Sequence, residues 1–144
     1  MCLVALTLAV NSLPHRSLAT TVRPELVSAT SIRVTTGPAY TDTAGKTWRT
    51  TSGFSASNIY SVSHAIAGTP DQPLYQTERW GNSFNYRAAV TNGNYKVTLK
   101  FAELYWSARG NRVFNVAINN VPVLTNFDIL TQTAPFAALD KSFL

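Results

Sequence analysis

The segment from Phe84 to Phe101 constrains this chain more than any other. Apolar side chains fall on every second residue at Phe84, Tyr86, Ala88 and Val90, and again at Tyr95, Val97, Leu99 and Phe101. A period of two puts one set of side chains on one face of a strand, whereas a helix would scatter them around its axis. Between the two runs lies Thr91-Asn92-Gly93-Asn94, and Asn-Gly accepts the positive φ angles of a tight hairpin turn. The pattern predicts two antiparallel strands with one buried face.

The same alternation recurs at Phe114, Val116 and Ile118, followed by Asn119-Asn120 as a two-residue turn into Val121-Pro122-Val123-Leu124. Ser31 to Thr36 reads as a strand stopped by Gly37-Pro38, and Ile59 to Ser63 and Leu74 to Trp80 read as two more. The stretch between Gly37 and Gly53 reads as loop. No run of ten residues carries a helical period. Many short strands in a chain of 144 residues predict one all-β domain, a β-sandwich or jelly roll. Hydrophobic residues make up 45% and charged residues 13%, enough apolar surface for a packed core.

Residues 1–30 show no sustained period and are interrupted by Pro14 and Pro24, so they read as leader or linker. Met1 to Val10 reads either as a weak signal segment, apolar but without a basic flank, or as the remnant of an upstream linker or misplaced start, and it is too short for a membrane span. The last residues, Lys141 to Leu144, look like a strand just beginning, and the expectation is a sandwich whose last strands are missing.

Charge excludes some functions. The net charge is +5, but no two Lys or Arg are adjacent, so the expectation is a generally basic surface and no nucleic-acid partner. His15 and His64 stand alone and Cys2 is the single cysteine, which leaves no metal site and no cofactor to expect. Gly53-Phe54-Ser55-Ala56-Ser57 lacks the last glycine of a nucleophile elbow and reads as a polar loop. Glycoside hydrolysis needs two facing carboxylates. Glu78, Glu103 and Asp128 are the candidates, and pairing with Arg79 or Arg112, or bonding to loop backbone, accounts for them without catalysis.

Aromatic residues point elsewhere. Tyr60, Trp80, Tyr105 and Trp106 sit where strands end, whereas Tyr75, Tyr86 and Tyr95 read as core. Tyr105 and Trp106 are adjacent at the end of a strand-like run, so both cannot fill one core. Rings exposed at the end of a sandwich suit a sugar, whose C–H face stacks on the ring while its hydroxyls need polar partners.

Four blocks resemble the malectin domain family. They are Gly37-Pro38-Ala39-Tyr40-Thr41-Asp42, Leu74-Tyr75-Gln76-Thr77-Glu78-Arg79-Trp80, Phe101-Ala102-Glu103-Leu104-Tyr105-Trp106 and Arg112-Val113-Phe114-Asn115-Val116. Val123 to Ile129 fits the same family, and the resemblance spans residues 31–144 in collinear order. It implies a jelly-roll-like β-sandwich with a sugar site in the loops at one end. In the animal proteins of the family that site takes diglucosylated glycans in the endoplasmic reticulum. Bacterial relatives are usually modules of secreted multidomain proteins. Carried over residue by residue, Tyr60, Trp80, Tyr105 and Trp106 form a carbohydrate-binding platform, with no catalytic residue. Three departures stand out. Val34-Thr35-Thr36-Gly37 replaces the family's Asn-Ala-Gly-Gly, Trp80 and Trp106 replace smaller aromatics, and the final strands with their acidic sugar ligand are absent. The resemblance thus implies a non-enzymatic, extracellular or cell-surface module for a glucose-containing oligosaccharide, beside other domains of a larger secreted protein. The alternatives are a protein-interaction or adhesion module and a non-functional fragment.

Overall fold

Tyr95–Phe101, the most regular alternation in the sequence, is a strand with neighbours on both sides. The computed structural model describes residues 8–12, 30–33, 38–50, 53–55, 57–90 and 94–144. Among the described residues ten strands carry the fold: β1 (Leu8–Ser12), β2 (Thr30–Arg33), β3 (Tyr40–Thr41), β4 (Thr47–Thr50), β5 (Asn58–Ser61), β6 (Thr77–Trp80), β7 (Tyr95–Phe101), β8 (Phe114–Ile118), β9 (Val121–Phe127) and β10 (Leu139–Phe143). They make a six-stranded sheet in the order β10-β7-β1-β2-β4-β3 and two antiparallel ribbons, β5-β6 and β8-β9. The chain is an all-β sandwich, as its alternation predicts. No described helix is long and apolar enough to cross a membrane.

The core follows the parity of β7. Leu99 and Phe101 point to one side, into a cluster with Phe114, Phe127 and Ile129. The rings of Phe101, Phe114 and Phe127 meet at centroid distances of 5.4 to 5.9 Å. Ala102 and Leu104 point to the other side, with Trp48, Ile66, Leu74 and Tyr75. Two clusters on opposite faces therefore share one strand and its extension. Every residue from Phe101 to Leu104 is buried, and the chain emerges only at Tyr105.

The structure departs from the sequence expectations at several points. Leu8–Ser12, inside the stretch read as leader or linker, forms β1 between β7 and β2. Five residues are too few to show a period, and their partner β7 lies far along the chain. The strand expected over Leu74–Trp80 is shortened to β6, because Gln72–Leu74 form a 3-10 turn with Pro73 in its first positions. Phe84 to Val90 is not a strand. It keeps its in-out alternation from Phe84 to Ala88, but its only described pairing is the bridge from Tyr86 to Phe54. Its partner is the short piece around Gly53, whose carbonyl takes the Arg87 N–H. A Cβ at Gly53 would lie 2.6 Å from the Tyr86 ring, so this approach requires glycine. Of the three tyrosines read as core, Tyr75 is buried while Tyr86 and Tyr95 are half-buried. The turn expected at Thr91-Asn92-Gly93, and Val34 to Gly37, lie outside the described residues.

The stretch read as loop between Gly37 and Gly53 contains the β3-β4 hairpin. Asp42 organises it: its carboxylate accepts the Ala44 and Lys46 N–H groups and the Trp48 indole N–H. Desolvation opposes the charged form, but these three bonds outweigh it and hold the Asp42 carboxyl below its ordinary value.

The β8-β9 turn behaves as read. Asn119 and Asn120 have φ of 50° and 65°, the left-handed pair of a type I′ turn. Asn120→Val is expected to lower stability by about 1–2 kcal/mol, since a β-branched residue there meets the left-handed penalty. Asn120→Gly should leave it nearly unchanged. Thermal denaturation of the two variants checks this, and equal melting temperatures would show that the turn does not need its positive φ.

Candidate functional site

At one end of the sandwich β5, β6 and the loop after β7 enclose a cavity of about 640 Å³. Its walls follow from strand parity. On β6, Glu78 and Trp80 are two residues apart and face the cavity, while Arg79 between them points away. Arg79 lies over the Phe54 ring at 4.3 Å and donates to Ser57 Oγ. Tyr60 on β5 stands opposite Glu78 in the ladder, which puts its ring on the same face.

The second wall is the loop Tyr105–Val113. Tyr105 is 60% exposed and Trp106 39%. Their rings meet edge to face at 4.9 Å, and Tyr60 meets Tyr105 at 5.8 Å in the same manner. Asn82, Gly110, Asn111, Arg112 and Val113 complete the lining. All four aromatics singled out in the sequence, Tyr60, Trp80, Tyr105 and Trp106, therefore line one cavity. The two asparagines, Gly110 and Val113 were not singled out. Polar residues in loops are too common to be picked out by type, and only the fold shows which ones face the rings.

Beneath the rings lie two carboxylates and one guanidinium. Arg112 donates from both terminal nitrogens to Glu78, at 3.0 and 3.2 Å. Its Nε sits 2.8 Å from Glu103 Oε2, an ion pair whose N–H points off the hydrogen-bond direction. Glu103, fully buried, uses its other oxygen to accept the N–H groups of Tyr105 and Trp106, both at 2.9 Å. Asp128 accepts the N–H of Gly110 at 2.6 Å with one oxygen and that of Leu130 at 2.9 Å with the other. The pairing expected between these acids and Arg112 or loop backbone is present, and Arg79 takes no part in it.

Burial is the dominant influence on Glu78. It raises the carboxyl from 4.5 to about 7, with Glu103 adding to the rise and Arg112 opposing it through charge and hydrogen bonds. Among the described residues no three His, Cys, Asp or Glu gather to hold a metal ion. Ser55 and Ser57, in the loop that resembles a nucleophile elbow, bond to Asn85 N–H and Arg79. His64 stacks on Phe136 at 4.2 Å, and its Nδ1 lies 2.8 Å from the Ala65 carbonyl oxygen.

The malectin domain profile matches residues 27–143. The chain belongs to the malectin domain family. The match begins just ahead of the boundary at residue 31 read from the alternation. Malectin of Mus musculus is 38% identical over 79 residues, which is 53% of this chain and 27% of the mouse protein. Malectin of Homo sapiens is 37% identical over 73 residues, 49% of this chain and 25% of the human protein. Malectin-B of Xenopus laevis is 37% identical over 73 residues, 49% and 26% of the two chains. The aligned part is thus about a quarter of the length of these relatives. No solved structure matches the chain. Within this malectin domain, the Thr77-Glu78-Arg79-Trp80 and Phe101-Ala102-Glu103-Leu104-Tyr105-Trp106 blocks are joined in space by Arg112 from the fourth block.

Proposed function

We propose that this malectin domain binds a glucose-containing oligosaccharide in the aromatic cavity and does not hydrolyse it. The observation that carries the reading is the convergence of Tyr60, Trp80, Tyr105 and Trp106 on one concave site beside Asn82 and Asn111. Tryptophan and tyrosine rings offer faces to pyranose C–H groups, and amides and a phenol offer partners to hydroxyls. Family membership supports the same ligand class. An adhesion surface would favour a flat or filled site, and this one is concave.

The carboxylates support the absence of turnover. Glu78 has the raised proton affinity of a general acid, but both its oxygens are taken by Arg112. Both oxygens of Glu103 and of Asp128 are engaged as well. Among these three buried acids no carboxylate is left free to activate water or attack a sugar carbon, which either hydrolytic route needs. The usual setting of bacterial members of the family favours a module of a secreted or surface protein.

Titration calorimetry with di- and trisaccharides of α-linked glucose, against xylose and mannose oligomers, tests the reading. Saturable binding of the glucose series, with no release of reducing ends over hours, is expected. Absence of binding by every glucose oligomer at millimolar concentration would refute the ligand, and release of reducing sugar abolished in Glu78→Gln would refute the lack of catalysis.

A further inference from the structure

The loop that carries Tyr105 and Trp106 has little packing of its own. Residues 105–111 are all exposed, whereas Phe101–Leu104 before them are buried. A loop so exposed would ordinarily sample many conformations, and a ligand would have to bear the loss of that freedom on binding. What stands against this is a pair of buried carboxylates at its two ends. Glu103 Oε1 takes the consecutive N–H groups of Tyr105 and Trp106 where the loop begins. Asp128 Oδ2 takes the N–H of Gly110 where it closes, at a φ of 84° open to glycine. Arg109 Nε, between them, donates to the carbonyl of Leu130, two residues beyond Asp128.

The geometry points to Glu103 and Asp128 as positioning residues that hold the aromatic loop in its binding shape without touching the ligand. Neither lines the cavity, and both are buried beneath it. Bonds from backbone N–H to a carboxylate are charge-assisted and stronger than those to a neutral acceptor. Arg112 extends the arrangement across the cavity, because one guanidinium contacts Glu103 under the loop and Glu78 under Trp80. The spacing of the two aromatic walls is set by this strut. The role in affinity rests on the oligosaccharide reading; the role in ordering the loop does not.

Amide hydrogen exchange on the whole chain separates the two. In the unmodified protein the Tyr105, Trp106 and Gly110 amides should exchange at least about tenfold more slowly than those of Ser107 and Ala108, which lie in the same loop. Equal rates across the loop would overturn the proposal without any variant. In Glu103→Ala the Tyr105 and Trp106 amides should speed up while those of Leu99 and Phe101 stay slow, and Glu103→Gln, which keeps an acceptor oxygen, should restore much of the protection. Uniform acceleration of loop and core amides in Glu103→Ala would mean that Glu103 serves overall stability only, and would also overturn it. Affinity for a glucose trisaccharide should fall about tenfold in Glu103→Ala and recover in Glu103→Gln. If the unmodified protein binds no saccharide, the ligand reading fails and the exchange pattern alone decides the positioning role.

Discussion

Replacing Arg112 by methionine is expected to lower the stability of the domain by about 3–5 kcal/mol at neutral pH. Arg112 is buried and is shared by Glu78 and Glu103, themselves buried. Methionine fills a similar volume but leaves two carboxylates in the interior without their counter-charge. The pH dependence has a definite sign. The folded protein holds the Glu78 proton up to about pH 7, and the unfolded chain releases it near 4.5. Between those values the folded state binds more protons, so the contribution of Glu78 to stability falls as pH rises through the window. It is most favourable below 4.5 and least favourable above 7. Loss of Arg112 removes the influence that lowers the Glu78 carboxyl, so the deficit of Arg112→Met should be largest above pH 7 and shrink as pH falls through 7, where the folded protein takes up the Glu78 proton. Urea denaturation of both proteins across that range provides the check. A deficit below about 1 kcal/mol, or one that grows in acid, would show that the cluster is not a buried ion network.

Trp106→Ala is expected to weaken glucose-oligosaccharide binding by more than about tenfold, as loss of a central aromatic contact does, while changing stability by about 1 kcal/mol or less. Trp48 provides the contrast within the same chain. It is almost wholly buried, packs with Ile66, Leu74 and Tyr75, and donates its indole N–H to Asp42. Trp48→Ala should cost about 3–5 kcal/mol through lost packing, with binding retained in whatever fraction stays folded. Paired calorimetric titration and denaturant melts distinguish the two roles. A large stability loss in Trp106→Ala with unchanged affinity would make Trp106 a core residue and displace the platform.

Much of this was legible in the sequence because it is encoded locally. The alternation at Tyr95–Phe101 and Phe114–Ile118 and the paired asparagines at 119 and 120 each specify their own conformation within a few residues. The adjacency of Tyr105 and Trp106 after a buried run likewise forces at least one ring outward, wherever the strand packs. Phe84 to Val90 shows the limit of such reasoning. Its alternation records which side chains face inward, but a ladder needs a partner of matching length, and the piece at Gly53–Ser55 supplies one bridge. β1 shows the converse: its partner β7 lies more than eighty residues away, so nothing local announced it.

The sequence by itself determined an all-β chain, its β8-β9 hairpin and the residue types of the site, since strand parity and turn chemistry act over short distances. Only the tertiary structure decided which charges meet. Arg79 and Arg112 were both candidates to pair with the buried acids on paper. The pleat turns Arg79 to the face opposite its neighbour, and the return of the chain at Arg112 brings that guanidinium under both aromatic walls. The choice rests on contacts between residues 34 positions apart, and no local pattern encodes a distance of that kind.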